Sequence, residues 1–353
     1  QLVTCKPITS NQQYIHRTQH MKNNPIFKKI ITWLSAVGPG LFLIGYNIGT
    51  GSVTTMAKAG AEHGMALTWA LLLSCIFTYI LIVAYGKMTL VTGKTALFNI
   101  KSNFRYGNIL AVYILIALVI GELLALMGIF GIVADLLQEA TKLLFGGRGL
   151  STLVITAVLV VGLYLLLWFG HYQTFEKFLI FLVILMGLSF ILVFFMVKPG
   201  ISSIIKGLVP SVPEQPGSFQ LIAAMAGTTC SAAVFIMRST VVAEKGWNIN
   251  DLGQGKKDAA VSASVMFFLS FVVMAVSAGT LNLMGLKLNN TVEMISLFEP
   301  IGGKIAAFIL ILGIVGAGIS TVFPIILIAP WLISDYTGRK RDIHSPMYRV
   351  LGL

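Results

Sequence analysis

Charge is what this chain has least of. Only 11% of its 353 residues are Asp, Glu, Lys or Arg and 56% are hydrophobic, whereas a soluble domain carries about 25% charged residues. That balance excludes an ordinary soluble domain and points to an all-α polytopic membrane protein. Acidic residues are the scarcer sign, 13 against 25 basic ones. The resulting charge of +12 does not indicate a nucleic-acid partner, because the Lys and Arg residues fall in loops instead of striping a folded domain. Cysteine is scarce as well: Cys5, Cys75 and Cys230 form no disulfide framework, and two of them lie in apolar segments. Paired carboxylates within a run, a histidine cluster and a phosphate-binding loop are all missing. The chain is therefore not expected to be an enzyme, and no cofactor is implied.

Long apolar runs are what the chain has in abundance. After a first segment over residues 31–61 they fall at 65–86, 108–134, 151–169, 175–197, 219–243, 259–285 and 303–334. Each is near the roughly 20 residues that cross a hydrocarbon core, giving eight candidate spans. Residues 1–30 form a polar, basic tail without the apolar core of a secretory signal, and Met21 is expected as the natural start. Positive charge also concentrates at 87–107, at 244–258 and after 335. If every run spans once, these loops share one side, so the N-terminus is expected in the cytoplasm and the protein in the plasma membrane. The expected organisation is a five-helix repeat over 31–197, an outer loop over 198–217 and a partial second repeat of three helices over 218–335. Residues 336–353 then form a cytoplasmic tail or a loop before two further spans, as if the chain were truncated at its C-terminus.

Two of these runs are interrupted. In the first, Gly45-Tyr46-Asn47-Ile48-Gly49-Thr50-Gly51-Ser52 separates half-helices at Ile31–Ile44 and Val53–Ala61. In the sixth, Gly227-Thr228-Thr229-Cys230-Ser231-Ala232-Ala233 separates Phe219–Ala226 from Val234–Ala243. Glycine costs about 1 kcal/mol relative to alanine inside a helix. Irregular backbone at membrane depth survives only where it is buried in protein or lines a cavity. Broken spans at matching places in two halves point to a transporter with inverted repeats and a site at the bilayer midplane. The competing reading is that small residues simply let helices pack closely. The candidate substrate-binding residues are Gly49, Thr50, Gly51, Ser52, Thr228, Thr229, Cys230 and Ser231.

Ionisable residues inside the spans are costly and so are candidates for function. Glu122 is the one acid deep in a run, and Arg238 the one base. They are expected to face each other or a shared aqueous path, with Glu122 carrying protons; the alternative is a structural ion pair locking two helices. Glu62, Asp135, Glu176, Glu244, Asp258 and Asp335 read as helix ends. His63 could titrate at the outer mouth, Cys230 could offer sulfur to a transition metal, and Pro324 is expected to kink the eighth span.

Specific stretches then suggest a family. Gly38-Pro39-Gly40, the first break, the run Thr54-Thr55-Met56-Ala57-Lys58-Ala59-Gly60-Ala61-Glu62-His63-Gly64 with Trp69, and Gly316-Ala317-Gly318-Ile319-Ser320-Thr321 resemble the NRAMP family of proton-coupled divalent metal transporters. The similarity covers nearly all of residues 31–335. It implies a LeuT-like inverted-repeat bundle in which the unwound centres of helices 1 and 6 bind Mn²⁺ or Fe²⁺ and protons accompany the metal as symport. The departures from the family pattern are large. Where the family has Asp-Pro-Gly-Asn this chain has Gly49-Thr50-Gly51-Ser52, and its Met-Pro-His falls at Ser231-Ala232-Ala233. The acidic position of helix 3 matches Glu122, while a second acidic position is Ala125.

Divalent ions favour charged oxygen or soft sulfur and nitrogen, and these breaks offer carbonyls, hydroxyls and one thiol. A metal site would therefore rest on Ser52, Thr228 and Ser231 and suit a partly hydrated ion such as Mg²⁺. The partners expected are a divalent cation as substrate, protons and the lipid bilayer. The alternatives are a LeuT-like transporter of an amino acid or other small organic solute, favoured by the missing Asp, or a transport-inactive membrane binding protein.

Overall fold

The computed structural model describes residues 38–169, 172–197, 201–288 and 291–339. The expected basic tail, the start of the first half-helix and most of 336–353 lie outside these residues. From Pro39 onward the chain forms one unit, and among the described residues its regular elements are all helices.

The first span is two helices, α1 (Gly38–Asn47) and α2 (Thr50–His63), followed by α3 (Thr68–Thr92) and the short α4 (Ala96–Asn103). Then come α5 (Gly107–Phe145), α6 (Thr152–Phe169), α7 (Tyr172–Val197) and α8 (Ile201–Lys206). The sixth run is again split, into α9 (Ser218–Thr229) and α10 (Ala232–Glu244), and is followed by α11 (Leu252–Ser277) and α12 (Glu293–Thr337). Residues Ala278–Asn282 continue α11 as a wider π turn. Among the described residues five helices are long and apolar enough to cross a membrane: Thr68–Thr92, Gly107–Phe145, Ser218–Glu244, Ile249–Asn282 and Gly303–Thr337.

Both breaks are narrower than the sequence suggests. Ile48 and Gly49 separate α1 from α2, and Cys230 and Ser231 separate α9 from α10. Thr228 and Thr229 remain in the last turn of α9, with their hydroxyls donating back to Met225 O at 3.2 and 2.8 Å. Gly51 and Ser52 fall in the first turn of α2, where small polar residues carry little penalty. Pro324 does not interrupt α12, whose backbone stays helical there; the departure is at Gly303, with φ 70°. Proline removes one backbone donor, whereas a positive φ cannot belong to a right-handed helix at all.

Packing sets which faces meet protein and which meet lipid. The later helices form the centre: α12 packs along α5 and α7, and α11 along α2 and α3. The helices around them turn large apolar side chains outward, among them Leu73, Phe77 and Ile80 on α3, Tyr113, Leu124 and Met127 on α5, and Leu153 and Val158 on α6. A surface that apolar is not stable in water. The protein is integral to a membrane.

Candidate functional site

The two breaks face one cavity of about 360 Å³, with α5 and α12 as its other walls. Of the residues marked from sequence, Gly49, Thr50, Gly51, Ser52, Thr228, Ser231 and Glu122 line it. Thr229, the last residue of α9, and Cys230, in the break, are not among the lining residues. The Thr229 side chain is 3% exposed, and its carbonyl accepts from Thr78 Oγ1 at 3.1 Å and from Asn47 Nδ2 at 3.0 Å. Ala125, Gly128, Ile129 and Ile132 make the α5 wall largely apolar.

Three polar lining residues were not marked as site candidates from the sequence: Tyr46, Asn47 and Thr321. Each forms a cross-helix contact. Asn47 is the amide donor to Thr229 just described, so it ties the first break to the second. Ser52 Oγ donates to Asn47 O at 2.8 Å and has Thr228 O at 3.4 Å. Thr321 Oγ1 lies 3.0 Å from Gly45 O, and the Tyr46 hydroxyl donates to Glu122 Oε1. These side chains take up carbonyls that the breaks leave without helical donors, which is the requirement for irregular backbone at this depth. The available signal was an Asn and a Tyr beside the first break, and a Thr in the Gly316–Thr321 motif.

The position at which the resemblance places an aspartate is closed by packing. A Cβ on Gly49 would lie 2.7 Å from Thr321 Oγ1, so α12 approaches the break where a side chain would have to begin. The donor set that remains is hydroxyls, an amide, carbonyls, one phenol and one carboxylate. Among the described residues no three His, Cys, Asp or Glu side chains come together.

The expected pairing of Glu122 with Arg238 does not form. Arg238 is 1% exposed and donates from Nη1 to Asp258 Oδ2 and from Nη2 to Gly255 O, the latter at 3.2 Å. Asp258 is not a helix end: α11 begins at Leu252, a polar turn and a half before the apolar run, and buries Asp258 completely. Its Oδ1 also accepts the Gly40 N–H at 3.0 Å. One ion pair thus joins α10 to α11 and holds the start of α1. The same end is tied by Ser239 Oγ accepting from Ala96 N at 2.9 Å, Thr240 Oγ1 donating to Asp335 at 2.8 Å, and Lys101 donating to Tyr336 O at 2.9 Å.

Toward the C-terminal half of α5, Ile132 is shared with a second cavity of about 500 Å³. Asp135, Gln138 and Glu139 line that cavity together with Thr54 and Thr291, whose hydroxyls are hydrogen-bonded to each other. Glu139 is paired with Lys142 at 2.6 Å. His63 lies apart from both, in a third cavity with Lys206 and Asn282. The central cavity therefore sits between a polar bridge on one side and a buried ion pair on the other.

Comparison with known proteins agrees with this geometry. The model of the Nramp family, natural resistance-associated macrophage protein-like, matches residues 40–352. The divalent metal cation transporter MntH of Pectobacterium carotovorum subsp. carotovorum is 25% identical over 295 residues, covering 82% of this chain and 69% of that protein. The metal transporter Nramp6.2 of Populus trichocarpa is 24% identical over 313 residues, covering 87% of this chain and 55% of its own length. Among solved structures, the Eremococcus coleocola manganese transporter bound to an aromatic bis-isothiourea compound superposes with a TM-score of 0.67 at 16% identity, over 94% of this chain and 71% of that one. MHP1, a nucleobase-cation-symport-1 family transporter in a closed, bromovinylhydantoin-bound form, superposes with a TM-score of 0.62 at 16% identity, over 90% and 70%. Both likenesses are of fold. With the family model running over nearly the whole chain, this protein belongs to the Nramp family.

Proposed function

We propose that this protein carries divalent metal cations across a membrane by alternating access around its two helix breaks. The observation that carries the reading is the cavity shared by both breaks, lined by Ser52, Thr228, Ser231 and Thr321 with Glu122 in its wall. The C-terminal ends of α1 and α9 meet there, and the carbonyl ends of helices favour cations. Membership of the family and the names of its metal-transporting relatives support the substrate class.

The donors present favour an ion that keeps part of its water. Hydroxyl and carbonyl oxygens suit hard cations, and Mg²⁺ sheds water reluctantly; the same sites would take a hydrated Mn²⁺. Ser52, Thr228 and Ser231 are the residues assigned to the substrate. Proton linkage is assigned to Glu122, the one carboxylate among the described cavity-lining residues. The positive loops support a plasma-membrane protein with its N-terminus in the cytoplasm.

A second reading is favoured by the size and apolar lining of the cavity: a small organic solute would fill it better than a bare ion does. The test is titration calorimetry of the purified protein with Mn²⁺ and Mg²⁺, alongside uptake of both into proteoliposomes. Saturable binding and uptake, weakened by Ser52→Ala, are expected. Folded protein that binds neither ion would overturn the metal reading and leave the organic solute.

A further inference from the structure

Taking cation transport as given, we infer that Glu122 is itself a ligand of the transported cation and that Tyr46 is the positioning residue that aims it. A doubly charged ion taken into a cavity of low polarity needs an opposite charge nearby, since neutral donors do not replace the water it loses. The breaks supply none: Gly49 stands where a carboxylate would be, and the remaining break residues are hydroxyls and carbonyls. Glu122 lines the same cavity from α5. No other acid among the described residues lines this cavity: Asp135 and Glu139 line the neighbouring one, Asp258 holds Arg238, Asp335 accepts from Thr240, and Glu62 pairs with Lys58 at 3.7 Å.

The geometry leaves the carboxylate half used. Tyr46, 6% exposed and one residue before Asn47, donates its hydroxyl to Oε1. Among the described residues no donor reaches Oε2. A carboxylate held at one oxygen by a neutral donor keeps a lone-pair face free for a cation; one held by Arg238 would already have its counter-ion. Because Tyr46 belongs to α1, the charge would also be fixed relative to the break that must move during transport. No Lys or Arg is among the described residues that line the cavity. The described part of α6 carries no charged residue.

The experiment is calorimetric titration with Mn²⁺ at one fixed pH, on wild type, Glu122→Gln, Glu122→Asp, Tyr46→Phe and the Tyr46→Phe/Glu122→Gln double variant, each with a melting curve. Glu122→Gln is expected to weaken Mn²⁺ about tenfold or more, with Glu122→Asp recovering part of the loss. Tyr46→Phe is expected to weaken it about fivefold, as befits one hydrogen bond. The double variant should be no weaker than Glu122→Gln alone, because a positioning residue has nothing left to position. Mn²⁺ affinity within about twofold of wild type in folded Glu122→Gln overturns the ligand role and leaves the transport reading standing. Additive losses in the double variant overturn the role of Tyr46. No binding by wild type removes the transport reading and this assignment together.

Discussion

Asp258→Asn is the most revealing single change for the architecture. It keeps the side-chain volume and an oxygen for the Gly40 N–H, and removes only the charge. Arg238 would then be a cation 1% exposed to solvent, left with Gly255 O at 3.2 Å and with an Nε that has no partner. Breaking one side of a buried pair costs about 3–5 kcal/mol, because the remaining charge is uncompensated. At about 2 °C per kcal/mol for a chain of this size, the midpoint of thermal unfolding should fall by about 6–10 °C. Asp258→Ala should fall further, by about 1–3 kcal/mol, since the Gly40 amide also loses its acceptor. The companion change decides the reasoning. Arg238→Met combined with Asp258→Asn removes the stranded charge and should recover most of the loss, as replacing both members of a buried pair usually does. Melting curves in detergent, checked by size-exclusion profile, measure all three. If Asp258→Asn melts like wild type, or if the double variant melts no higher than Asp258→Asn alone, the pair is not what holds α1, α10 and α11 together.

Other expectations follow from close contacts and open space. Gly227 lines the cavity, and a Cβ added to it would have nothing within 4 Å, so Gly227→Leu should abolish Mn²⁺ uptake into proteoliposomes while the melting midpoint stays near that of wild type. Gly60 is the opposite case. A Cβ there would lie 2.1 Å from Met274 O and 3.0 Å from Ala278 N, so Gly60→Ala should cost about 1–3 kcal/mol or more in unfolding experiments. Gly162→Ala, in the middle of α6 with nothing nearby, should instead stabilise by about 1 kcal/mol. Ser52→Ala frees Asn47 O of its 2.8 Å donor and should cost about 1 kcal/mol in stability, together with a severalfold weaker response to Mn²⁺ in calorimetry.

The positions of the helices were legible in the sequence, because a run of apolar residues long enough to span a bilayer has few other places to be. The two interruptions were legible for the same reason, as glycine and small polar residues are out of place in such a run. Their limits were not. Thr228 and Thr229 belong to the last turn of α9, and hydropathy does not register on which residue such a turn ends. Asp258 was misplaced because the apolar run begins one residue after it, although the helix begins at Leu252.

What the sequence by itself determined is what depends on composition along the chain: the membrane class, the helical runs, the broken first and sixth spans and the scarcity of charge that makes Glu122 and Arg238 conspicuous. What only the tertiary structure decided is who meets whom. Arg238 found Asp258 and not Glu122, Tyr46 found Glu122 across α1 and α5, and Thr321 came close enough to Gly49 to leave no room for a side chain. The physical reason is that burial cost is a property of each residue, whereas the partner that offsets it is set by packing between helices that lie far apart in the chain.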